Sequence, residues 1–353
     1  MMKYKPDWHD AQRRLTALWN HEVTDRPCIA VTAPNGRSAC RPPAPSTAQQ
    51  KWIDPDWVLA DIRAQLENTW WGGEAIPSYL LMAGWVLCLG GTPLFDINTI
   101  WFDTIEVDFS RPSPFTYRDD DIWVKAYTDL FEAVVDLAGR DDFLVGNAGD
   151  LPANDLIAMI MGTERFLISL IEHPDWMRDA IIAGAREKLR VCQQLRNLAR
   201  EKHDFWYGNA GWMPFWAPEP FISTQSDVSC MFSPDMFEQF IVPELDIYGE
   251  AFGAMWYHLD GGDARQHLPR LLSLPYLRVV QYVPAPCEPP NGPEHLDLYR
   301  QIQAAGRIVH IEVSKEYVEP LSRALDPALL MLQTHCKDVS EGEALLEAAK
   351  NWF

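Results

Sequence analysis

The sequence predicts an α/β fold, a (β/α)8 TIM-type barrel carrying an N-terminal helical and hairpin extension. Three observations lead there. From about residue 120 onward, helical stretches alternate six times with short apolar runs, the mark of parallel strands covered by helices. Two earlier β-rich stretches, "CIAVTA" and residues 95–109, bring the strands close to the eight that close a barrel. No GxGxxG follows an early strand, which weighs against the dinucleotide-binding form of the alternative, an open doubly wound sheet.

The elements follow in order. A helix is expected near residues 8–21, then the strand "CIAVTA" after the sharp "TDRP", then a polar, Pro-rich loop over 35–46. The helix "DPDWVLADIRAQLENTWW" starts with Asp54 as N-cap and Pro55 in the first turn. "FDINTIWFDTIEVDF" alternates in places and reads as a hairpin. Residues 1–115 thus form an elaboration on a single domain, 1–353. The repeating part runs from helix "DDDIWVKAYTDLFEAVVDLAG" to "DFLVGNAGD", and from helices over 153–200 to "HDFWYGNAGW". "PDMFEQFIVPELDIYGEAFG" leads to "AMWYHLDGG", "ARQHLPRLLSL" to "LRVVQYVPAP", "LDLYRQIQAAG" to "RIVHIEVS", and "KEYVEPLSRAL" to "ALLMLQTHC".

A chain of 353 residues, 47% hydrophobic and without a long linker, favours one large core. The formal charge of −20, from 50 acidic and 30 basic residues, argues against nucleic acid or an anionic membrane as partner. No uncharged span is long enough to cross a bilayer and the N-terminus lacks a signal-peptide core, so a cytoplasmic location is expected. Seven scattered cysteines without a CxxC pair do not make a disulfide framework.

In a barrel of this kind, chemistry sits at the carboxyl ends of the strands. Those ends carry Asn147 and Asp150, Asn209 and Trp212, His258 and Asp260, Gln281 and Tyr282, His310 and Glu312, and His335 and Cys336. His258 and Asp260 are spaced i, i+2, which points both to one face, and Gly261 and Gly262 let the backbone turn away. With Cys336 at the last strand end, they would supply three zinc ligands and leave a fourth position open. Spacing alone leaves the other reading in place: His258 as a hydrogen-bonded core histidine and Cys336 as a buried thiol.

"WHDAQRRLTALWNHEVTDRPCIAV", "MGTERFLISLIEHPDWMRDAI", "SDVSCMFSPDMFEQFIVPELDIYGEAFG" ahead of "HLDGG", and "LQTHCKDVSEGEALLEAAK" together resemble the uroporphyrinogen decarboxylase superfamily. That superfamily includes zinc-dependent, corrinoid-linked methyltransferases, which carry His-x-Cys where this chain has "HLD" and a further Cys at "THC". The resemblance implies zinc on His258, Asp260 and Cys336. It also implies transfer of a methyl group from a small methylated substrate to a corrinoid carried by a partner protein. Asp260 departs from the pattern. A harder site is less suited to a thiol acceptor and fits an O- or N-methylated donor, such as an aromatic methyl ether.

The decarboxylase's R-x-A-G-R-Y motif is absent, and Arg13 and Arg14 are expected on a solvated helix face. Neither they nor the charge of −20 suit a polyanionic tetrapyrrole. A decarboxylase of a small acid and a non-catalytic ligand-binding relative are the alternatives. For the methyltransferase, Trp206, Trp212, Trp216 and Trp256 form an apolar wall suited to an aromatic ether or a methylated ammonium. Asp227 orients substrate or simply caps a helix, Asn147 and Gln281 line the mouth, and His310 and Glu312 orient His258 or a bound water. His335 should point away from the centre that Cys336 joins.

Overall fold

A computed structural model describes residues 2–118, 120–145, 151–203 and 213–352. The N-terminal amphipathic helix α1 (Trp8–Trp19) buries Trp8, Ala11, Leu15, Leu18 and Trp19, one stripe at helical spacing. That stripe packs on Phe215, Trp216 and Phe221. Strand β1 (Cys28–Pro34) follows, then helices α2 (Ala48–Ile53) and α3 (Pro55–Asn68). Asp54 caps α3 as expected, its carboxylate accepting the Trp57 N–H at 2.9 Å.

The helix does not continue through "TWW". Thr69–Gly73 is strand β2, antiparallel to β1, because β-branched and aromatic residues there pair with the apolar edge of β1. Strands β3 (Pro93–Phe95) and β4 (Ile100–Phe102) form the expected hairpin, but shorter and earlier than residues 95–109. They pair with each other in a separate two-stranded sheet, so they do not count toward the central one.

Helices α4 (Ile122–Ala138), α5 (Ala153–Met161), α6 (Thr163–Glu172) and α7 (Pro174–Lys202) come next. Strand β5 (Ile222–Gln225) is followed by the short helix α8 (Pro234–Met236), a π turn (Phe237–Ile241) and α9 (Val242–Phe252). Then come β6 (Met255–Asp260), α10 (Gly261–Ala264), α11 (Leu268–Leu272) and β7 (Leu277–Val283). The series ends with α12 (Leu296–Ala304), β8 (Ile308–Glu312), α13 (Lys315–Ala324), β9 (Leu330–His335) and α14 (Val339–Ala349).

The central sheet has seven strands in the order β2-β1-β9-β8-β7-β6-β5, parallel except for β2. Apolar side chains dominate the face of these strands that the helices cover, while the opposite face carries a row of polar residues. Among the described residues the sheet is not closed into a ring. The expected strands "DFLVGNAGD" and "HDFWYGNAGW" fall largely on 146–150 and 204–212, outside the described residues. Just before the first of these, Leu144 bridges Ser78 in parallel, its N–H donating to the Pro77 carbonyl at 2.8 Å.

A buried charge knot ties the N-terminal segment to the sheet. Glu74, fully buried after β2, accepts both Arg26 guanidinium nitrogens at 2.6 and 2.8 Å and the Ile29 N–H at 2.8 Å. Arg14 reaches Glu74 at 3.5 Å and grips Asp25 with two bonds of 2.7 Å. Arg14 is therefore not on a solvated face: its carboxylate partners hold it inward. Among the described residues no helix is long and apolar enough to cross a membrane.

Candidate metal centre

Parallel pairing places residues in rows. Gln225, His258, Gln281 and His310 are register neighbours on β5 to β8, and neighbours in register point to one face. Along β6 that face also takes Trp256 and Asp260. The Trp256 indole N–H donates to His310 Nδ1 at 3.1 Å, spanning the intervening β7, so the sheet is concave toward this face. The bond leaves the imidazole proton of His310 on Nε2. That buried atom has no partner among the described residues, and burial pushes the ring's pKa down to about 3.

At the carboxyl end of β6 the ligand atoms of Asp227, His258 and Asp260 all lie within 4.8 Å of one another. His258 Nδ1 is hydrogen-bonded to Gln281 Oε1, which fixes Nδ1 as the protonated nitrogen and Nε2 as the unprotonated one. The chain turns at once: Gly261, at φ +74°, adopts a conformation side chains disfavour, and α10 begins there.

Asp227 follows β5 in a loop held from below. Buried Glu244 on α9 accepts the Ala153 and Asn154 N–H groups at 2.6 and 3.1 Å and the Asn154 side-chain amide at 2.8 Å, fixing the start of α5. From that helix, Asp155 accepts the N–H groups of Asp227 and Val228, each at 3.0 Å, and Asn154 accepts the Ser226 hydroxyl at 2.8 Å. Gln225 donates to the Asp227 carboxylate at 2.8 Å. Burial, then the mutual repulsion of Asp155, Asp227 and Asp260, raises the carboxyls of Asp155 and Asp227. A shared proton or a divalent cation relieves carboxylates crowded in this way.

The sequence expected His258, Asp260 and Cys336 as the ligand set. The structure brings the first two together with Asp227 and leaves Cys336 outside. The reason is strand parity. On β9 the inward residues are Gln333 and His335, level with Ala30 and Thr32 of β1, so the next residue turns the other way. The Cys336 thiol is buried, and the charges around it are Glu341, Lys315 and Asp338. His335, expected to point away, is the residue that faces inward.

Glu312 does not orient His258. Its carboxylate accepts the Gln333 side-chain amide at 3.1 Å and lies 3.5 Å from His335 Nε2, while Gln281 takes the His258 proton. His310 is likewise engaged with Trp256. Trp216 is buried in an edge-on contact with Trp8, ring centroids 5.5 Å apart, and so is packing rather than wall. Gln281, Glu312 and Met213 line a recess of about 410 Å³. Asn147, Trp206 and Trp212 lie outside the described residues.

Sequence reasoning missed Asp155, which sits in the first turn of a helix, where an acidic residue reads as ordinary capping.

No protein-family model matches the sequence, and no curated protein matches it. Among solved structures the chain is similar to a methyltransferase from Methanosarcina mazei, with a TM-score of 0.54 and 12% identity, covering 97% of this chain and 98% of that one. At that identity the likeness is one of fold.

Proposed function

We propose that the chain is a metal-dependent methyltransferase. It moves a methyl group from a small O- or N-methylated substrate to a corrinoid carried by a partner protein, on a single domain whose sheet closes into a (β/α)8 barrel. The observation that carries this reading is the convergence of Asp227, His258 and Asp260 at a strand end, with His258 held by Gln281 as metal-binding histidines are. Two features support the barrel: the concave sheet, and the end-to-end likeness to a methyltransferase fold.

The donor set fits zinc. One imidazole and two carboxylates are accepted zinc ligands, and a three-residue set leaves a position for substrate. Bound there, zinc supplies Lewis acidity toward the heteroatom that bears the methyl group. The chain's residues do the rest. Gln281 fixes the imidazole, Gln225 and Asp155 hold the loop of Asp227, and the Trp256 and His310 pair closes the floor. Having no thiolate, the site withdraws charge from an oxygen or nitrogen leaving group more strongly than a sulfur-rich site does.

The test measures zinc content, and methyl transfer from methoxybenzene and from tetramethylammonium to free cob(I)alamin, followed by the cobalt spectrum. About one zinc per chain and formation of methylcobalamin are expected, with both lost in His258→Ala and Asp260→Ala. A folded protein that takes up no divalent metal overturns the reading.

A further inference from the structure

A second cluster of ionisable groups lies on the inner face, at the other side of the sheet from the metal ligands. His335 ends β9, Thr32 is its register partner on β1, and Glu312 ends β8. The Thr32 hydroxyl is hydrogen-bonded to His335 Nδ1, while His335 Nε2 lies 3.5 Å from a Glu312 oxygen. Glu312 is itself held by the Gln333 amide at 3.1 Å. Carboxylate, imidazole and hydroxyl therefore stand in series, the order that lets a histidine take a proton from a hydroxyl while a carboxylate stabilises the cation formed.

The series opens on a cavity of about 330 Å³, large enough for a one-ring compound. Trp71, Ile76 and Leu80 are among its apolar lining residues, and Arg41, Thr32 and His335 among its polar ones. Arg41 has no acidic partner among the described residues, although the chain carries −20 overall. Lys315 and Glu341, which line a neighbouring cavity with Glu312 and His335, pair with each other.

We propose that this cavity binds a small phenol-like hydroxy compound and that Thr32, His335 and Glu312 remove its proton. The ligand's O–H bond breaks as its proton passes to the Thr32 oxygen, and the Thr32 proton passes to His335 Nδ1. The products are an oxyanion paired with Arg41 and an imidazolium paired with Glu312. Thr32 and His335 act on the proton directly, and Glu312 is a positioning residue. The hydrogen bond and charge of Glu312 raise the affinity of His335 for a proton, which strengthens it as a base. Neither the cavity nor the series depends on the metal centre.

The probe is para-nitrophenol, whose anion is coloured, added to the intact protein at a pH below the probe's own ionisation. Saturable binding with the colour of the anion is expected. His335→Gln should bind the probe without colour, Glu312→Gln should lower the coloured fraction roughly tenfold, and Arg41→Gln should weaken binding. Thr32→Val, isosteric and without the hydroxyl, carries the same expectation as His335→Gln should that variant not fold. A chelator should leave the colour unchanged, so failure of methyl transfer and failure of this site are read separately. Uptake of the probe in its neutral form, no saturable uptake, or undiminished colour in His335→Gln or in Thr32→Val overturns the proposal.

Discussion

At the scale of single residues, the proposed metal centre depends on groups outside its ligand set. Gln281 holds the tautomer of His258, so Gln281→Leu should lower zinc affinity about 10- to 100-fold while the fold survives, read by competition with a chromophoric chelator. Asp155→Asn should weaken zinc binding in the same assay, because a side-chain amide no longer holds the N–H groups of Asp227 and Val228 with a charge. His258 and Asp260 were legible because period-two alternation and a following glycine pair are local signals. Asp227 was singled out but not as a ligand, since only the folded β5–β6 pairing brings it to them. Cys336 was grouped with them because adjacency to a strand end says nothing of which face a residue takes, and strand parity turns it the other way.

At the scale of elements, the knot around Glu74 decides how the N-terminal helix meets the sheet. Leaving Arg26 buried without its carboxylate should cost about 3–5 kcal/mol, so Glu74→Ala should shift urea unfolding by that amount. The sign of the pH dependence follows from Asp25, whose carboxyl Arg14 holds well below the usual carboxylate range. A depressed value means stability present above the ordinary carboxylate pKa and lost as pH falls from there toward the folded value. Urea titrations across the acid range should show Asp25→Asn losing less stability than the parent chain does. Local signals found most helices, including the Asp54 cap. They failed at "TWW", where pairing with β1 overrides a helical run-on, and at Arg14, whose burial comes from partners elsewhere in the chain.

At the scale of the whole molecule, the rhythm of helix and strand announced a mostly parallel sheet, because each unit must bury its own apolar face. The count of strands was less legible: the early hairpin has strand character but pairs with itself. Zinc binding to the folded chain alone should raise its stability by about 2.7 kcal/mol at a hundredfold excess over Kd, seen as a higher melting temperature that His258→Ala does not share.

The order of strands gives the last point. β1 lies between β2, made soon after it, and β9, which comes from the far end of the sequence. While a ribosome is still translating the middle of the gene, the long apolar rim of β1 stands bare. A product terminated ahead of Leu330 keeps that rim exposed for good, an invitation to stray strands from other chains. Premature stop codons there should give insoluble material even though Asp227, His258 and Asp260 have already been made.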